Sequence, residues 1–100
     1  MRLNKTEIEN IKKLAYLHFG EDVQVILFGS RASDEKRGGD IDIFIRKRNG
    51  EKPDFRSKIN FTTDLILKIG EQKIDVVLDH PAMHGSEFLK TIYRTGKLLC

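Results

Sequence analysis

Apolar positions along the chain change their spacing several times, and each change marks an element. Ile8, Ile11, Leu14, Ala15 and Leu17 recur at the interval that places them on one face of a helix. Thr6-Glu7-Ile8-Glu9 fits a capping box, in which the Thr side chain accepts a bond from the third helical amide and Glu9 returns one. The helix is predicted to begin there and to end at Gly20 in a left-handed conformation. The run VQVILF, Val23 to Phe28, is rich in β-branched residues and too short for an independent helix, which predicts a buried strand stopped by Gly29. From Asp40 to Arg46 the pattern alternates. Ile41, Ile43 and Ile45 fall on one face of a second strand, and Asp40, Asp42 and Phe44 on the other.

The charged segment RKRNGEKPD, with Gly50 and Pro53, reads as an exposed loop. Asp54 can cap a second helix whose positions Phe55, Ile59, Ile66 and Ile69 suit one buried stripe, with Gly70 near its end. A third strand, KIDVVL, alternates Ile74, Val76 and Leu78 against Asp75 and Val77. Ser86 then caps a short helix carrying Phe88, Leu89, Ile92 and Tyr93 and closed by Gly96, after which KLL adds a short edge strand. No internal repeat or low-complexity tract interrupts this order. It predicts an α+β, α/β-like fold: a small mixed sheet with helices packed on one side.

Composition narrows the class. With 100 residues, 39% of them hydrophobic, there is apolar material for one domain over residues 1–100 and too little for two cores. The net charge of +3 spreads 18 basic residues among 15 acidic ones. That balance suits phosphates or an acidic partner and does not single out nucleic acid, so no direct nucleic-acid contact is expected. Cys100 is the only cysteine, which rules out an internal disulfide and fits a reducing compartment. No secretory apolar region follows Met1, and no apolar run approaches the roughly 20 residues that cross a bilayer, so the expectation is a cytoplasmic protein without a membrane partner.

The two aspartates at alternate strand positions raise the chemical question. Such carboxylates project the same way, with Cα atoms roughly 6–7 Å apart, close enough for one divalent cation, or two adjacent ones, to bridge them. Without a cation they repel, and crowding them is unfavourable. Asp75 completes a triad if its strand pairs beside the second. The bland reading suits Asp40 and Asp42 equally well, because alternating polar residues line the solvated face of many antiparallel sheets. Gly29-Ser30 shifts the balance. A glycine at a strand end admits close approach of a ligand, and the following amides and the Ser30 hydroxyl can point at phosphate oxygens. If Arg31 to Lys36 opens a helix, its first amides add to the same anion site.

Gly29-Ser30-Arg31-Ala32, followed by Asp40-Ile41-Asp42 and later by Asp75, resembles the signature of DNA polymerase beta-like nucleotidyltransferases. In size and in the GSRA wording the chain is most similar to the minimal nucleotidyltransferases (MNT) that accompany HEPN-domain toxins in prokaryotic toxin–antitoxin pairs. The resemblance spans nearly the whole element order, with its specific residues between Phe28 and Phe44. It departs from the common pattern where Ser33-Asp34 and Gly39 replace a glycine and a serine of many relatives, losing a hydroxyl contact but no carboxylate.

The resemblance implies transfer of AMP from ATP to a hydroxyl, expected to be a tyrosine's, on a partner HEPN ribonuclease toxin held in a hetero-oligomer. Asp40, Asp42 and Asp75 would be both the catalytic residues and the ligands of two Mg²⁺ ions, with Asp75 helping to take up the acceptor's proton. Gly29 and Ser30 would grip the β and γ phosphates, and Arg31 is a further nucleotide-binding candidate that as readily reads as solvated. Arg46, Lys47 and Arg48 are candidates for a rim facing the partner, or an ordinary charged loop. His80 and His84 have the spacing of helical zinc ligands, but Pro81 and Gly85 argue against a helix there, and they read as loop residues. Two alternatives stay open: a binding module that silences its partner by covering it, and a small-molecule (antibiotic) nucleotidyltransferase, which the short chain disfavours.

Overall fold

The computed structural model describes residues 3–32, 40–70 and 72–100. Helix α1 (Lys5–Phe19) leads to strand β1 (Val23–Phe28) and a short 3₁₀ turn (Gly29–Ala32). Then come β2 (Ile41–Lys47), α2 (Phe55–Ile69), β3 (Ile74–Leu78), a second 3₁₀ turn (Pro81–Met83), α3 (Glu87–Thr95) and β4 (Lys97–Leu98). The capping box of α1 lies two residues earlier than expected: the Asn4 side chain accepts from the Glu7 amide at 2.7 Å, and the Glu7 carboxylate accepts from the Asn4 amide at 3.0 Å. Asn caps as well as Thr does, and the earlier box adds about half a turn to the helix. Gly20 has the expected positive φ of 94°, but its ψ of 176° is extended rather than left-handed helical.

The strands form one mixed sheet in the order β3-β2-β1-β4. β1 runs antiparallel to β2 and to β4, whereas β2 and β3 are parallel. A parallel pair needs a crossover, and α2 provides it. On one face, Val23, Val25 and Leu27 of β1, Ile41, Ile43 and Ile45 of β2, and Val76 pack against Ile11, Leu14, Ala15 and Phe19 of α1 and Phe61 and Leu65 of α2. Each fully buried isoleucine here contributes roughly 1.5–3 kcal/mol. The two helices are stapled by the Phe19–Phe61 ring contact at 5.6 Å and by His18 Nε2 against Asp64 Oδ2 at 2.7 Å.

Two readings of the pattern need correction. The stripe expected on α2 is rotated: Phe61 and Leu65 are buried, while Phe55, Ile59 and Ile66 are exposed and Ile69 is partly buried. Both faces of that helix carry apolar side chains, so periodicity alone cannot choose between them. Helices also cover both sides of the sheet rather than one. Ile26 and Phe44 point away from α1 and α2, and they are buried by Leu89 and Ile92 of α3. An apolar pair on that face requires a cover, and α3 supplies it. Among the described residues no helix is long and apolar enough to cross a membrane.

Candidate active site

Asp40 stands immediately before β2, where the Ile41 amide donates to the Lys73 carbonyl at 3.0 Å and locks the two strand starts together. The parallel register then sets Asp42 directly beside Asp75. Alternation keeps Asp40 on the Asp42 side of the strand, the face that α3 partly covers. One carboxylate oxygen from each of Asp40, Asp42 and Asp75 lies within 4.8 Å of the others. Asp40 and Asp42 are half-buried, and Asp75 is exposed at the rim. Packed this closely, the three carboxylates repel one another unless positive charge stands beside them.

Burial, then the neighbouring Asp75 and Asp40 carboxylates, hold the Asp42 carboxyl above its usual range, with Lys73 pulling the other way. Lys73 Nζ lies 3.5 Å from Asp40 Oδ2, the described cation nearest that carboxylate. A well solvated ammonium offsets the cluster's charge incompletely. The cluster is all oxygen, hard and negatively charged, which is the donor set that Mg²⁺ and similar divalent cations take. The residues therefore fit such an ion.

Gly29 closes the site from the β1 side. Phe28 pairs with Asp42 across the antiparallel ladder, which brings the next residue up against the carboxylate. Gly29 has φ of 71°, and a Cβ there would run into Asp42 Oδ2. The strand end thus has two reasons to be glycine. Of the helix expected from Arg31 to Lys36, the described part is the 3₁₀ turn Gly29–Ala32. The Ser30 hydroxyl, Ser33, Asp34 and Gly39 lie outside the described residues.

Arg31 Nη2 donates to Gln72 Oε1 at 3.1 Å, and Gln72 Nε2 donates to Glu7 Oε2 at 2.9 Å, so the turn is tied to α1 through the α2–β3 connection. Arg46, Lys47 and Arg48, expected in a loop, are engaged locally. Arg46 and Lys47 belong to β2, Arg46 donates to Gln24 Oε1 at 2.7 Å, Arg48 donates to the Val23 carbonyl at 2.8 Å, and Lys47 lies 3.6 Å from Glu51. His84 meets Asp79 at 3.2 Å, and His80 precedes the 3₁₀ turn, as loop residues.

A cleft of about 520 Å³ opens beside Gly29, between Phe28 and Ala32 on one side and Phe88, Thr91 and Thr95 of α3 on the other. Phe28 and Phe88 meet edge to face at 5.8 Å. A larger cavity of about 680 Å³ lies along β3 and the start of α2 and includes none of the three carboxylates. The smaller cleft also includes none of them, and it adjoins the carboxylates only through Gly29, whose missing Cβ faces Asp42.

The model of the polymerase beta nucleotidyltransferase family matches residues 9–100. The chain belongs to that family. The three carboxylates and the glycine turn all lie within the matched residues. No curated protein matches the chain. Among solved structures, it is similar to a chain of the crystal structure of the toxin–antitoxin MntA-HpeT, in a mutant with two aspartates replaced by glutamates. The TM-score is 0.71 at 19% identity, over 98% of this chain and 73% of that one, a likeness of fold.

Lys73 and Gln72 escaped the reading of the sequence. Lys73 shares strand parity with Asp75, so its side was legible, but its pairing with Asp40 depends on the β2–β3 register. Gln72 sits in a short connection with no periodicity to interpret.

Proposed function

We propose that this nucleotidyltransferase transfers AMP from ATP to a hydroxyl, a tyrosine's, on a partner HEPN-type toxin, and so acts as an antitoxin. The observation that carries the proposal is the convergence of Asp40, Asp42 and Asp75 within 4.8 Å beside the Gly29 turn. The toxin–antitoxin assignment leans on the MNT-like GSRA wording and on the likeness to a chain of the MntA-HpeT toxin–antitoxin.

Asp40, Asp42 and Asp75 would hold two Mg²⁺ ions, which when bound neutralise triphosphate charge and lower the pKa of a coordinated hydroxyl. The chain's own residues divide the remaining work. The Gly29–Ala32 turn, with its backbone amides and the Ser30 hydroxyl, would receive the β and γ phosphates, and Arg31 belongs to the same turn. Lys73 adds positive charge beside the carboxylates. Asp75, exposed at the rim, would accept the proton of the incoming hydroxyl. The acceptor oxygen then bonds to the α-phosphorus, the bond to the β-phosphate oxygen breaks, and pyrophosphate leaves with that electron pair.

The test mixes purified protein, Mg²⁺, labelled ATP and the co-encoded neighbouring protein, with Asp42→Asn in parallel. Label is expected on a tyrosine of the neighbour with the wild type and not with the variant. If none of the four NTPs transfers label while the neighbour is still bound and silenced, the chain is a steric binding module and the enzymatic reading fails.

A further inference from the structure

Strand β3 ends the sheet, and no described strand pairs with its outer side. Two hydrogen bonds fix which backbone groups face outward. Lys73 accepts from Ile41, and Asp79 donates to Ile45, so the odd-numbered residues of this segment turn their amides and carbonyls toward β2. In a parallel ladder the alternate residues Ile74, Val76 and Leu78 then direct theirs away from the sheet. An open edge of this kind is a template for another strand.

A second feature coincides with it. On α2, Phe55, Ile59 and Ile66 are 64%, 50% and 36% exposed, although all three are large and apolar. They share the flank opposite Asp64, which faces α1 through His18. Phe55 lines the 680 Å³ cavity together with Val76 and Leu78, so this flank lies over the open edge of β3. An unpaired strand and an uncovered apolar helix flank thus run side by side along one border of the molecule.

The geometry points to a second copy of this chain as the occupant of that border, joined through an antiparallel β3–β3 pair about a two-fold axis at Val76. The sequence of the segment matches itself in this register. Ile74 falls opposite the partner's Leu78 and Val76 opposite the partner's Val76, so apolar side chains meet apolar ones on both sides of the axis. The outward-facing residues 74, 76 and 78 are the ones set against each other, so each exchanges amide–carbonyl bonds with its counterpart. The start of α2 lies by the end of β3 and its end by the start, so the helix runs against the strand. The two-fold therefore sets α2 antiparallel to the partner's α2, with Ile59 near the axis and Phe55 toward the partner's Ile66. An isologous interface requires this self-matching of both strand and helix. The dimer has one continuous sheet across both copies, with both carboxylate triads on the same face. None of this depends on the nucleotide chemistry.

The test is sedimentation equilibrium of the full chain over a dilution series, together with amide hydrogen exchange. The expected mass is twice 11.5 kDa, falling toward 11.5 kDa on dilution. The amides of Ile74, Val76 and Leu78 are expected to be protected in the dimer and to exchange at least tenfold faster at the dilute end. Ile59→Glu should give monomer with unchanged far-UV circular dichroism and with those amides fast. A mass of 11.5 kDa at every concentration overturns the proposal. So does a dimer in which Ile59→Glu changes neither mass nor exchange, since it would use another surface. If that variant does not fold, wild-type exchange decides alone: fast amides at 74, 76 and 78 in a dimeric sample exclude the β3 edge.

Discussion

A Cβ at position 29 meets the Asp42 carboxylate, and the backbone there has a φ of 71° that side-chain-bearing residues adopt at a cost of roughly 1–2 kcal/mol. Gly29→Ala is therefore expected to lower stability by about that amount and, beyond it, to displace Asp42 from its neighbours. Urea denaturation reads the first effect, and binding of a fluorescent ATP analogue in Mg²⁺ reads the second. Loss of stability with nucleotide affinity unchanged would mean that Asp42 is not part of the nucleotide site. The same residue shows how far local sequence can be read. That a glycine stops β1 follows from its lack of a side chain; that it must stop there beside a carboxylate follows from the Phe28–Asp42 pairing, which joins residues 14 positions apart.

Helix α2 carries apolar residues around more than one face, and the packed structure uses one of them for the core. Phe61→Ala is expected to cost about 3–5 kcal/mol, because it empties a fully buried site against Phe19. Leu67→Ala, at the most exposed apolar position of the helix, should change stability by less than about 0.5 kcal/mol. Chemical denaturation of the two variants measures both, and comparable losses would mean that the helix is rotated from the orientation described. The stripe read from spacing, Phe55-Ile59-Ile66-Ile69, is a real helical stripe. It runs along the border beside β3 because Phe61 and Leu65 fill the space between the sheet and α1. Caps are more local, and Asp54 and Ser86 stand where the sequence places them.

Across the whole molecule, both faces of the sheet are packed, and the crowded carboxylates sit on one of them where charge opposes folding. Asp42 has its folded-state pKa raised, so its favourable contribution is complete at pH values below its unfolded pKa and is lost as pH rises through the folded value. At neutral pH the ionised group is a burden to the metal-free fold. Asp42→Asn should therefore raise the melting temperature in metal-free buffer. Mg²⁺ at about 100 times its Kd should stabilise the wild type by about 2.7 kcal/mol, with each kcal/mol worth roughly 4–8 °C for a domain of this size. The variant should lose most of that response. A thermal scan with and without Mg²⁺ decides, and equal shifts in both proteins would place the ion elsewhere. Element types, their order, most caps and the strand face of each aspartate were legible from residue order, since period, β-branching and capping act within a few positions along the chain. The Asp42–Asp75 register, the side that α3 covers, the rotation of α2 and the Lys73–Asp40 pair were settled by packing, because each brings together residues far apart in the chain that local periodicity does not relate.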